Sequence, residues 1–291
     1  MFAEFSRRQL RANGVDINAL VGGNGPPLLL LHGYPQSHLI WHRTAPQLAK
    51  RYTVVATDLR GYGRSEKPVG LPDHSNYSKR EMAKDQVEVM RQLGFDTFYV
   101  CGHDRGARVA HRLAVDHPGA VKRVMLLDIS PTLTMYEQTT MDFARSYWWW
   151  FFLIQPTPFP ESMIAAAPEI YLQKKIGWGY GGLRHFTDET YAAYLSYVSD
   201  SATMHGMCED YRAAASIDLE HDRADRAAGK KIECPVSVIW GEHGVVSRCF
   251  KPIEDWQRVA TNVRGRTLPC GHYIPEEVSA ELLGEMTAFF S

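Results

Sequence analysis

Short apolar runs recur along the chain, and each stops at a turn. Pro27–Leu31 (PLLLL) ends at His32-Gly33, and Tyr52–Ala56 (YTVVA) ends just before Asp58. Thr97–Cys101 (TFYVC) runs into a glycine-flanked turn, and Arg123–Asp128 (RVMLLD) follows the next polar stretch. Runs of this length, apolar throughout rather than alternating, predict strands of a parallel sheet buried on both faces. Between them the period changes. Lys79–Leu93 repeats its apolar positions at Met82, Val89, Met90 and Leu93, with Gly94 as a stop, which predicts a helix. A second helix is predicted from about Ala107 to Asp116, ending before Pro118. Strands alternating with helices imply an α/β fold: a mostly parallel sheet with helices on both faces.

The rhythm breaks after Pro131. From there to Arg226 no buried strand is evident, and aromatics are dense: Tyr147, Trp148, Trp149, Trp150, Phe151 and Phe152, then Tyr171, Trp178, Tyr180, Tyr191, Tyr194, Tyr197 and Tyr211. Pro156, Pro158 and Pro160 interrupt the stretch. Residues 132–226 therefore read as a helical cap inserted into a core made of residues 1–131 and 227–291. The βα pattern resumes with Pro235–Trp240, a helix around Pro252–Val259, a short strand near Gly265–Leu268 and a helix after Pro275.

Composition narrows the class. At 291 residues, 45% hydrophobic and 22% charged, the chain has room for one large core with an insertion. A formal net charge of −1 supplies no field for nucleic acid or an anionic membrane. No apolar run is long enough to span a bilayer, and none follows Arg7 and Arg8 as a signal peptide would require. Cys101, Cys208, Cys234, Cys249 and Cys270 are odd in number and widely spaced, which points to free thiols and a cytoplasmic chain.

The candidate chemistry centres on Gly102-His103-Asp104-Arg105-Gly106, between a predicted strand and helix. The form G-x-nucleophile-x-G is that of a nucleophile elbow, with aspartate in place of serine. A carboxylate is already anionic at neutral pH and suits displacement at a saturated carbon. A histidine is then free to activate the water that hydrolyses the resulting ester. Asp at a helix start is also a common cap, so the motif needs partners. His272, in a loop near the C-terminus, completes the expected order of nucleophile, acid and histidine. Asp128, at the end of the fourth strand, is the better candidate acid; Glu242, after the fifth, is the alternative. The backbone N–H groups of Tyr34 and Arg105 are the candidate oxyanion hole. Arg105 and Arg108, three apart at a helix start, can reach one region and bind a carboxylate bidentately. No HExxH or dense ligand cluster is present, and the chemistry needs no metal or cofactor.

The combination of GHDRGAR (102–108), HGYPQ (32–36), DLRGYG (58–63), the acid at Asp128 and the aromatic run from Tyr147 resembles the haloacetate (fluoroacetate) dehalogenases of the α/β-hydrolase fold. The likeness covers essentially the whole chain, including His205-Gly206 through Asp210-Tyr211-Arg212-Ala213-Ala214. It implies Asp104 as nucleophile, His272 as base, Asp128 as its partner, and Arg105 with Arg108 as a clamp on the carboxylate of a small haloacid. It also implies a halide pocket carried onto Trp150 and Tyr211, and a homodimer formed through the cap. One position departs from the pattern: the family carries a histidine directly before the cap tryptophan, where this chain has Trp149. An indole N–H donates without carrying charge. Fluoride, a poor leaving group, is therefore expected to be released less well than chloride.

Two other readings use the same residues. An epoxide hydrolase shares the Asp-His-acid logic and opens its ring with two cap tyrosines, which this chain has in number. Two arginines beside the nucleophile favour an anionic substrate instead. A binding protein on a hydrolase scaffold would be expected to lack a triad member, and all three candidates are present.

Overall fold

The computed structural model describes residues 1–177 and 179–291; Trp178 lies outside them. Eight strands form one sheet: β1 (Ser6–Ala12), β2 (Val15–Gly22), β3 (Pro27–Leu31), β4 (Thr53–Thr57), β5 (Phe98–His103), β6 (Val121–Leu127), β7 (Val236–Gly241) and β8 (Val263–Leu268). Their order is β1-β2-β4-β3-β5-β6-β7-β8. From β4 to β8 every pairing is parallel, while β2 runs antiparallel to both β1 and β4. The helices are α1 (Ala45–Leu48), α2 (Lys79–Gln92), α3 (Arg105–Asp116), α4 (Thr132–Glu137), α5 (Met141–Ser146), α6 (Trp148–Phe152), α7 (Phe159–Ala166), α8 (Pro168–Ile176), α9 (Asp188–Ser199), α10 (Ser201–Ala215), α11 (Ile217–Ala227), α12 (Val245–Cys249), α13 (Pro252–Gln257), α14 (Ile274–Glu277) and α15 (Ser279–Phe290).

The continuous apolar strands are buried because each feeds two cores. Leu29, Leu31, Val55, Val100 and Val124 join Met82 and Val89 of α2 and Leu113 of α3 on one face. Their neighbours Leu28, Leu30, Val54, Cys101 and Met125 join Leu48 of α1 and Leu282, Met286 and Phe289 of α15 on the other. The two-residue period of a strand makes that division. The chain leaves β3 for β4 on one side and returns to β5 on the other, so the carboxyl ends of β3 and β5 open at a topological switch point, where such sheets place their ligands.

The predicted core strands stand within a few residues of the observed ones. The β1–β2 hairpin has no counterpart in the sequence reading. Arg7, Arg8 and Arg11 hide β1 as a strand, although charge suits an exposed sheet edge. The signal present was Asn13-Gly14 (φ 46° and 79°), since positive φ at both central residues is what a two-residue hairpin turn requires.

Between β6 and β7 the described residues form helices and turns with no strand. Phe143, Tyr147, Trp150, Tyr194 and Tyr211 from this segment pack into the same apolar cluster as α2 and α3. Buried ion pairs fasten it as well: Lys79 to Asp210 and Asp218, Arg105 to Asp210, and Arg112 to Asp222. All five cysteines are free. No described helix is long and apolar enough to cross a membrane.

Candidate active site

Asp104 sits between β5 and α3 at φ 46° and ψ −112°, outside the regions ordinary side chains favour. Close contact enforces this turn. A Cβ on Gly102 would lie 2.5 Å from the Gly106 carbonyl oxygen, and one on Gly106 would lie 2.5 Å from that of His32. The Asp104 side chain makes no capping hydrogen bond to α3. Its Oδ2 instead receives the Tyr34 N–H at 3.4 Å and lies 3.6 Å from His272 Nε2. The Arg105 N–H is the first of α3, a donor with no intrahelical partner. The loop after β3 and the start of α3 thus bring both predicted oxyanion donors to Asp104.

Asp128 ends β6, also at positive φ (52°). Its Oδ1 accepts the Gly241 N–H at 3.0 Å, and its Oδ2 lies 2.5 Å from His272 Nδ1. Glu242, the alternative acid, is exposed. A Cβ on Gly244 would stand 3.4 Å from Asp128 Oδ1, so a side chain there would converge on the same imidazole. His103 Nε2 lies 2.8 Å from the His272 carbonyl, which only accepts, so this nitrogen carries the proton and steadies the loop.

Charge follows from these contacts. Burial works against Asp104, but the hydrogen bond and field of His272, with His103 and Arg105, hold its carboxyl well below the usual range. Burial likewise opposes charge on His272, yet its contacts with Asp104 and Asp128 push the imidazole up to about 9. At neutral pH these contacts favour an imidazolium at His272. Burial, with the charge of His272, lowers His103 to about 3 and keeps it neutral.

Arg105 and Arg108 are both buried. Arg105 gives Nε and Nη2 to the Asp210 carboxylate at 2.8 Å each, and its Nη1 has no hydrogen-bond partner among the described residues. Arg108 gives Nη1 to Thr132 Oγ1 at 2.9 Å, and Nη2 lies 3.1 Å from Met135 Sδ; its Nε is unpartnered. The predicted pair of forks is therefore one unspent N–H group from each arginine. Asp210, which the sequence reading did not single out, is the residue that fixes Arg105.

The helical segment between β6 and β7 brings three aromatics. Trp150 Nε1 is buried and unpartnered among the described residues, under the guanidinium of Arg108. Tyr211 packs its ring 4.1 Å below Arg105. Trp149 Nε1 donates to Tyr211 Oη at 3.1 Å, so its N–H is spent inside the pocket wall rather than offered to a ligand. Trp148 is only half-buried and packs on Tyr171, since three successive residues cannot share one helix face. Tyr147 reaches the triad, with Oη 3.4 Å from His272 Nδ1. His185 stays outside it, beside Glu277. Lys175 is the other residue missed. It shares the buried side of α8 with Tyr171, Leu172 and Ile176, and a lysine on such a stripe was the available signal.

A cavity of about 160 Å³ opens beside His272 and Lys175. Among the described residues no cluster suited to a metal ion is present.

The chain belongs to the α/β-hydrolase fold family, which matches residues 26–277. Within that fold it is a haloacetate dehalogenase family member: it is 45% identical over its whole length to the fluoroacetate dehalogenase of Burkholderia sp., covering 95% of that protein. It is also 32% identical over its whole length to the soluble epoxide hydrolase of Corynebacterium sp. (strain C12), covering 99% of it. Among solved structures, a Nostoc sp. PCC 7120 protein described as an α/β hydrolase superposes with a TM-score of 0.97 at 51% identity, over 100% of this chain and 99% of that one.

Proposed function

We propose that this enzyme hydrolyses the carbon–halogen bond of a small 2-haloacid, with residues 132–226 acting as a cap over the core formed by 1–131 and 227–291. The observation that carries the reading is the pair of unspent arginine donors, Arg105 Nη1 and Arg108 Nε, buried beside a carboxylate nucleophile. Buried donors cost about 1–3 kcal/mol each when left unmade. A substrate carboxylate satisfies both.

Asp104 Oδ1 attacks the carbon bearing the halogen. The C–O bond forms as the carbon–halogen bond breaks, and the halide leaves with the electron pair. Trp150 Nε1–H and the Tyr211 hydroxyl receive its charge. Tyr211 already accepts from Trp149, so its own proton is free to point onward. Once Asp104 is an ester, His272 has lost one of its two carboxylates, its basicity falls, and Nε2 releases its proton to solvent to leave the neutral imidazole. Nε2 then takes a proton from water, which attacks the Asp104 carbonyl carbon. Tyr34 N–H and Arg105 N–H hold the oxyanion, and collapse releases the 2-hydroxyacid. Free thiols agree with a cytoplasmic setting. Pairing of two copies through the cap belongs to the same reading and is checked by light scattering.

The test is halide release from chloroacetate, bromoacetate and fluoroacetate by ion chromatography, with Asp104→Asn as control and styrene oxide as rival substrate. Halide release that disappears in the control is expected. Diol from the epoxide without any halide would transfer the assignment to epoxide hydrolysis, for which Tyr147 and Tyr211 would be the ring-opening pair.

A further inference from the structure

Two lysines of this chain are almost wholly buried, and they are buried differently. Lys79 (3% exposed) has the carboxylates of Asp210 and Asp218 within ion-pair distance. Lys175 (2% exposed) has no carboxylate within 4.0 Å among the described residues. Its Nζ donates to Tyr273 Oη at 2.7 Å. Otherwise it is surrounded by ring faces: Trp149 at 4.0 Å, Tyr273 at 5.2 Å and Tyr34 at 5.6 Å from the centroids. Aromatic faces stabilise a cation without neutralising it. An ammonium has three N–H groups, so this arrangement leaves donors available.

Lys175 also lines the cavity that opens beside His272, together with Tyr147, Trp149 and Tyr273. The carboxylate in that wall, Glu277, is occupied by the backbone N–H groups of Gly271 and Tyr273, at 2.6 and 2.7 Å. Arg248, at the same cavity, is paired with Asp142. Lys175 is therefore the cation of this cavity that no described carboxylate answers.

We propose that Lys175 is a second anion-binding residue, which docks a small monovalent anion in the channel between the cap and His272. The proposal rests on the haloacid reading for its two natural ligands, the carboxylate of the incoming acid and the departing halide. It is separate from the arginine pair, whose donors belong to α3. Its position explains how an acid reaches a site whose nucleophile is itself negative: a caged cation offsets the repulsion on the way in.

The electrostatics around Lys175 give the proposal a pH signature. Burial lowers the ammonium to about 7, and the charge of Asp104 works the other way. The other groups around it are His103 and His272, the phenols of Tyr34 and Tyr273, and Glu277. His103 stays neutral through this range, and His272 titrates near 9. Anion docking should thus weaken as pH rises through about 7.

The experiment compares wild type, Lys175→Met and Lys175→Arg with chloroacetate as pH is carried through about 7. In wild type, KM should climb across that range. Lys175→Met should show a KM roughly tenfold higher and flat, equivalent to about 1.4 kcal/mol, with kcat changed less. Lys175→Arg, charged throughout, should restore a low KM and hold it to higher pH. Inhibition by chloride and by glycolate separates the ligands. Weaker glycolate binding in Lys175→Met assigns the site to the carboxylate, and weaker chloride binding alone assigns it to the leaving halide. Unchanged KM, pH profile and both inhibition constants would overturn the proposal.

Folding is monitored by Tm. A lysine depressed in the folded state costs stability below about 7, and the cost fades as pH approaches its unfolded value of roughly 10.4. Lys175→Met should therefore be at least as stable as wild type, with its gain largest in acid. Glycolate and chloride binding to Asp104→Asn, with and without Lys175→Met, is read by calorimetry without turnover. Absence of halide release by wild type would then sink the dehalogenase reading and leave the anion site still tested.

Discussion

The sheet-side triad and the unspent donors beside it are built to opposite rules. In the triad the bonds that orient the imidazole close among themselves: Asp128 takes Gly241 N–H and His272 Nδ1, and His103 supports the His272 carbonyl, while His272 Nε2 and His103 Nδ1 stay without a hydrogen bond among the described residues. Beside it, Arg105 Nη1 and Arg108 Nε from α3 and Trp150 Nε1 from α6 are buried with no described partner. A closed set of bonds holds reacting groups in place before any substrate arrives. Open donors are costly in an empty site and repaid only by a ligand that accepts from them. On the proposed function, the first set decides which reaction occurs, and the second decides on what.

The widest separation between the halves comes from His272→Gln. If the sheet side runs a two-step reaction, this change leaves ester formation possible and stops its hydrolysis. One halide should be released per chain, followed by arrest, with turnover down on the order of 10⁴-fold or more. The intact protein should gain the mass of one carboxymethyl group on Asp104 after chloroacetate. Continued turnover, or no adduct, would mean that His272 is not the base for the second step.

The same division decides what the sequence could say. Asp104 and Asp128 directly follow apolar strands, and an apolar strand followed by a turn is a local pattern that names the residue at its end, whereas His272, beyond the polar strand β8, was legible from its order in the chain. Asp104 was legible because Gly102 and Gly106 mark a turn that only glycine can close. Asp128 was chosen over Glu242 from strand position, and burial now separates the two. The donor set depends on how α3, the short helix α6 and α10 meet, which no local periodicity reports. Nothing local says that Trp149 donates to Tyr211 while Trp150 donates to nothing. The spacing of Arg105 and Arg108 put them together but not Asp210, which lies 105 residues away in sequence and takes one fork whole.

Arg108→Met tests the open side at its centre. It removes an unspent donor, its charge and the guanidinium over Trp150 while keeping most of the apolar stem. Loss of a charged hydrogen bond, about 1.5–3 kcal/mol, should lower kcat/KM for chloroacetate by roughly 10- to 100-fold, mostly through KM. The adduct trapped by His272→Gln should still form at saturating substrate. An unaltered KM would show that the carboxylate is not bound by Arg108 and would return the arginine pair to a purely structural role.

The smallest effect, and the sharpest, concerns which halide leaves. Trp149 is where the family pattern has histidine, and its indole N–H is given to Tyr211 Oη, through which it would act on the proposed halide pocket. A neutral relay of this kind helps chloride or bromide, which depart easily, more adequately than fluoride, whose charge is concentrated on a small atom. Trp149→His introduces a ring able to carry charge, but it would stand where Lys175 now packs 4.0 Å from the Trp149 centroid. Two cations there would repel, so the histidine should be mostly neutral while Lys175 is charged. The fluoride-to-chloride release ratio is expected to rise by roughly tenfold, about one added charge-assisted hydrogen bond, in Trp149→His combined with Lys175→Met, and by less in Trp149→His alone. Equal fluoride and chloride release by wild type would remove the premise. A ratio unmoved by either variant would place control of the leaving group with Trp150 and Tyr211.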